Sequence, residues 1–218
     1  MHFLKIRPIA GLVLALSLCG CGSMIDFTKQ EMGYPKREIL VSNVKTARND
    51  EDAAKQQFQT TLQQFQAVTH FNGGSLEDEY NKLNFQYESC DSRVQAVNSQ
   101  IERVEASAQK LFAEWNDELG QYSNDDLRRK SEAELKNTKD RYEKVIVSMK
   151  NAAKRMKPVL AAFHDQVLFL KHNLNAQAIA SLSTTAAGID TDVAKLIKEM
   201  EASIAEADAF VNQMKATN

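Results

Sequence analysis

Apolar and small residues recur at alternating steps of four and three along most of this chain. The clearest stretch runs Leu76, Tyr80, Leu83, Tyr87, Cys90, Val94, Val97, Ile101, Val104, Ala108, Leu111 and Trp115, with no Gly or Pro between them. Four-three spacing keeps a seam on one side of an α-helix and is the a/d pattern of a coiled coil. A helix of about 40 residues is roughly 60 Å long, too long to be buried inside a small globule. The pattern therefore predicts an elongated bundle with this helix as its spine.

Three further helices follow from the same spacing. Leu40, Val44, Ala47, Glu51, Ala54, Phe58, Thr61, Phe65 and Val68 define the first, over about 36–71, and Asn72-Gly73-Gly74 breaks it. Ser75 with Asp78 three on resembles a capping box and opens the spine, 76–119. Ser123 with Asp126 repeats that signature ahead of a third helix, 124–182, whose seam includes Tyr142, Val145, Met149, Ala152, Met156, Val159 and Phe163. Pro158 inside it removes one backbone donor and crowds the carbonyl of Lys154. The apolar register does not slip there, which predicts a kinked but continuous helix.

Thr184 to Asp190 reads as the last connection, and Val193, Ile197, Met200, Ile204, Ala207, Val211 and Met214 as the seam of a fourth helix, 190–216. Beyond residue 20 every glycine, Gly188 included, then falls at a boundary. That agrees with the cost of about 1 kcal/mol for Gly in a helix interior. No stretch of β-branched alternation argues for a sheet. The expected fold class is all-α: an elongated antiparallel coiled coil, three helices thick and thickening to four near Met156 to Val167. Short connections place residues 112–130 as a hairpin tip at the end where the first helix begins.

The N-terminus has a different pattern. Lys5 and Arg7 precede an apolar run from Ile9 to Leu18, about half the roughly 20 residues that a bilayer crossing needs. This describes a secretory signal over 1–20. Leu18-Cys19-Gly20-Cys21 resembles the bacterial lipobox, with cleavage between Gly20 and Cys21 and lipid on Cys21. A soluble periplasmic protein, cut by ordinary signal peptidase, is the alternative. Each buried methylene of an acyl chain contributes about 0.8 kcal/mol, so two or more chains anchor a protein stably. Gly22 stands where Asp would direct retention at the inner membrane, which favours an outer-membrane lipoprotein facing the periplasm. Residues 21–35 then read as a lipidated tether, and 36–218 as one helical domain.

Charge and cysteines narrow the function classes. Cleavage removes Lys5 and Arg7, leaving 25 basic against 29 acidic residues, a net of −4. A mildly acidic exported chain is a poor candidate for nucleic acid. Cys90 alone remains free after processing and lipidation, so no intramolecular disulfide is expected. Its place on the apolar seam makes it a small buried hydrophobe, with an intermolecular link as the alternative.

Two stretches are candidate contact sites. The tip gathers Phe112, Trp115 and Tyr122 beside Arg128 and Arg129, a composition suited to a membrane surface or a protein partner. Nearby acidic residues cancel that positive charge, and closing the end of the coiled coil is the plainer role for the rings. Val167-Leu168-Phe169-Leu170 is apolar on every side of its helix, which predicts burial all round. An apolar groove at Leu168 and Phe169, for a partner helix or an acyl chain, is the alternative. No catalytic residue, metal site or cofactor is expected. His70, His164 and His172 lack the Glu-x-x-His spacing of bundle metal sites, and zinc-helix, nucleophile-elbow and phosphate-loop motifs are missing.

Several segments carry a family resemblance: Gly33-Tyr34 through Val41, Phe71-Asn72-Gly73-Gly74, Leu111 to Trp115, Leu127-Arg128-Arg129, and Val167 to Ala176. Together they resemble proteobacterial lipoproteins labelled domain of unknown function 2959. The resemblance implies a helical, coiled-coil-bearing envelope protein and supplies no activity or ligand. The expected function is a non-enzymatic structural or docking protein, held to the membrane by its lipid, with an envelope protein or a second copy as partner. A periplasmic carrier or holdase for lipid or unfolded chain is the alternative.

Overall fold

Seam positions leave water first, and they set the architecture. Leu40, Val44, Phe58 and Phe65 are fully buried, as are Leu83, Cys90, Val97 and Val104. So are Met149, Met156, Phe163 and Leu170, and Leu196 and Met200. The computed structural model describes residues 36–216, so the cleavage and lipidation positions Gly20 and Cys21, with the tether, lie outside the described residues. The fold is all-α, with four helices and no strand among the described residues: α1 Lys36–Thr69, α2 Leu76–Leu119, α3 Asp125–His172 and α4 Ala176–Ala216. The longest, α3 at 48 residues, is about 72 Å long.

The helices run up and down in a ring, α1 on α2, α2 on α3, α3 on α4 and α4 back on α1. The α1–α2 turn depends on glycine, because Gly73 and Gly74 have φ of 146° and 108°, where a side chain would be strained. Ser75 caps α2 by accepting from the Asp78 amide at 3.2 Å. Asn124, one residue after the expected Ser123, caps α3, accepting from the amides of Asp126 and Leu127. α3 is continuous through Pro158, whose ring faces solvent beside an open depression of about 620 Å³ between α3 and α4.

Three further expectations need correction. The last connection is not at 184–190 but at 173–175, so α3 ends at His172 rather than 182 and α4 begins at Ala176 rather than 190. Asn173 stops α3, its amide bonding to the Leu170 carbonyl and its side chain to that of Phe169. Asn175 starts α4 by accepting from the Ala178 amide. Gly188 accordingly lies inside a helix. Burial of Leu182 and Ile189 holds that stretch against its weak propensity.

The longer α4 also changes the cross-section. It follows α1 from end to end: Ser183 bonds to the Thr69 carbonyl, Gln66 to Asp190, Ser203 to Glu51, Arg48 to Asp208 and Arg37 to the Met214 carbonyl. The bundle is therefore four helices thick along the whole of α1, not only near Met156 to Val167. Finally, Val167 to Leu170 is not buried all round. Val167 and Leu170 face the core, whereas Leu168 and Phe169 are 44% and 40% exposed on the outer surface. A four-helix ring leaves one side of each helix facing water, so a run apolar on all sides must expose part of itself.

Candidate functional site

Helix pairings locate the hairpin tip. Lys36 Nζ, at the start of α1, lies 2.7 Å from Glu114 Oε1, and Arg37 Nη2 donates to the Met214 carbonyl at 3.0 Å. The start of α1 and the end of α4 thus meet α2 about a turn before its own end. Among the described residues, only the end of α2 and the start of α3 continue beyond that level, as a two-helix projection without the other half of the ring.

From the base of the projection to its end, the candidate residues divide by role. Phe112 packs edge-on against Tyr142 at 5.4 Å between centroids, and Lys139 Nζ lies over the Phe112 ring, 5.7 Å from its centroid. Burial pushes the Tyr142 hydroxyl up to about 12. The Trp115 indole donates to Ser131 Oγ at 2.8 Å, tying the two helices together. Both rings are half-buried and close the hairpin. Tyr122 and Leu127 do not, being 41% and 52% exposed. They line an open depression of about 460 Å³ with Trp115, Arg37, Lys130 and Glu134.

The basic residues are internally matched. Arg128 pairs with Asp125 and Glu132, and Arg129 with Asp126. Residues 112–135 hold seven acidic and three basic side chains, a net of −4, against −2 for the entire chain. Lys36 and Arg37 of α1 lie at the same end, so the hairpin's −4 becomes −2 there.

At the opposite end, the histidines do not converge. His164 stacks on Tyr87 at 5.1 Å, and His70 Nδ1 sits 2.8 Å from the Gln66 carbonyl. Among the described residues, no group of three or more His, Cys, Asp or Glu is arranged to hold a metal ion. No helix among them is long and apolar enough to cross a membrane. Cys90 is buried, and burial pushes its thiol up to about 12. A thiol so far from ionising is a packing group rather than a nucleophile.

The family model described as a protein of unknown function, DUF2959, matches residues 27–214. The chain belongs to the DUF2959 family. No curated protein and no solved structure matches it. In this DUF2959 protein the match takes in all of α1 to α3 and nearly all of α4.

One unusual group of the DUF2959 bundle was visible in the sequence without standing out. Glu51 occupies a seam position of α1 and is fully buried. Its Oε1 accepts from Ser203 Oγ of α4 at 3.0 Å, and its Oε2 has no hydrogen-bond partner among the described residues. The signal was a charged residue at a position where the heptad calls for an apolar one.

Proposed function

We propose that this protein is a lipid-tethered, non-enzymatic helical bundle of the cell envelope, anchored at Cys21 in the outer membrane and facing the periplasm. It docks a protein partner through its hairpin tip. The observation that carries this reading is the exposure of Tyr122 and Leu127 on a projection that lacks half of the helical ring. Lys36 lies at that same end, and fifteen residues separate Cys21 from it when both ends are counted from 21 to 35. That length of chain reaches about 45 Å when extended, so a lipid on Cys21 would keep the tip near a bilayer.

Charge supports a protein partner over the bilayer itself. The hairpin's −4, or −2 with Lys36 and Arg37 counted, is repelled by anionic headgroups and by a second tip, and attracts a basic surface with an apolar anchor. Cys21→Ser is expected to abolish incorporation of labelled palmitate; retained label would remove the anchor from the proposal. A photo-crosslinker at Leu127 is expected to trap one protein in cells, while the same group at exposed Phe85 traps none. Equal adducts at both positions would sink the docking role. Liposome binding by the delipidated chain that is weakened by Phe112→Ala and Trp115→Ala would instead assign the tip to the membrane.

One observation favours a carrier as the second reading. Leu168, Phe169 and Leu174 are all exposed around the end of α3, leaving apolar surface there. Binding of an apolar dye that is lost on Phe169→Ser would support a carrier, and a protein that leaves the dye free would retire it.

A further inference from the structure

We propose that Glu51 and Ser203 form a proton-dependent clasp between α1 and α4, shut while the carboxyl is protonated and opened locally when it ionises. The clasp is independent of the hairpin tip. It rests on where the carboxyl sits: fully buried on the inner seam, with one hydroxyl donor to Oε1 and nothing for Oε2. A neutral carboxyl tolerates one unmatched oxygen, but a carboxylate in the same place lacks the two or three donors that replace its hydration.

No nearby charge provides that compensation. On α2, Arg93 and Arg103 act on the neighbouring Asp50. On α4, Asp208 is engaged by Arg48 and Glu199 by Arg155. On α3, Lys150 pairs with Glu105 of α2. Burial therefore dominates and pushes Glu51 up to about 8, with the Ser203 hydroxyl acting weakly the other way.

Local packing decides how the ion would reach water. The seam neighbours of Glu51 are Ala47 and Ala54, and those of Ser203 are Met200 and Ala207, all fully buried. Parting α1 from α4 here uncovers only methyl groups on α1, with Met200 the large side chain on α4, so this level yields more easily than the Phe58 layer. The proton leaves to solvent, water enters to the carboxylate, and the ends of the two helices stay joined through Arg37 and Gln66.

Amide exchange of the purified full chain, followed from pH 5 to 9, tests the clasp. In the wild type, protection over 47–55 and 199–207 is expected to fall by up to about tenfold per pH unit and to level off near pH 8, after correction for intrinsic exchange. Glu51→Gln keeps the shape without the titration and is expected to remove the slope. The same slope in both proteins would overturn the clasp. Ser203→Ala, which takes away the one donor favouring the carboxylate, is expected to move the levelling-off to higher pH, and no movement counts against it. A labelled Glu51 carboxyl carbon that titrates in the ordinary glutamate range would overturn it whether or not either variant folds.

Discussion

Phe163 shows how much of this protein rests on single side chains. It is fully buried, with ring centroids 6.5 Å from Phe58 and 6.3 Å from Phe65. Phe163→Ala is expected to cost about 3–5 kcal/mol, read as a lower denaturant midpoint. Phe85→Ala, at a position 63% exposed, is expected to stay within about 0.5 kcal/mol of the wild type. Glu51 reverses the usual sign for a carboxylate. Because its folded pKa is raised, its contribution is most favourable below the unfolded glutamate range and is lost as pH rises towards about 8. Melting temperatures of the wild type relative to Glu51→Gln should therefore drop between pH 5 and 8 and run parallel above. A seam residue of the wrong polarity was legible in the sequence. Its missing second donor was not, because that depends on which face of α4 arrives opposite.

At the scale of the element, α4 is where local and tertiary preferences part. Ser181, Ser183, Thr184, Thr185 and Thr191 bond back to carbonyls three or four residues earlier in their own helix, a pattern that weakens a helix. With Gly188 among them, this stretch looks like a connection when read alone. It is helical because Leu182 and Ile189 are buried in a helix that packs on both α1 and α3. A Cβ at Gly188 would meet nothing within 4 Å, so Gly188→Ala is expected to stabilise the protein by about 0.5–1 kcal/mol in thermal melts. Asn175→Ala, which removes the cap of α4, is expected to cost about 1 kcal/mol. Asn173 and Asn175 mark the true boundary, but the Ser, Thr and Gly residues of 181–191 make the stronger local break.

The described residues, taken together, form a closed ring of helices with one open end. Side chains couple α1 to α4 near both ends and in the middle, so the ring should unfold as one unit, while the tip lies outside it. Replacing residues 117–128 with a short polar turn is expected to leave the main melting transition within a few degrees and to eliminate the crosslink at the tip. Loss of cooperative melting would show instead that the tip belongs to the core.

Periodicity alone determined that the chain is all-α, that α1 and α2 lie antiparallel around a glycine turn, and that a hairpin projects where α1 begins. A repeat of seven residues acts through neighbours on one helix, so it needs no knowledge of the rest of the fold. Only the tertiary structure decided where α3 gives way to α4, which sides of Val167 to Leu170 meet water, and that a carboxyl on α1 faces a serine 152 residues away on α4. Those outcomes depend on how the fourth helix seats against the other three, and burial energies of several kcal/mol there outweigh local preferences of about 1 kcal/mol or less.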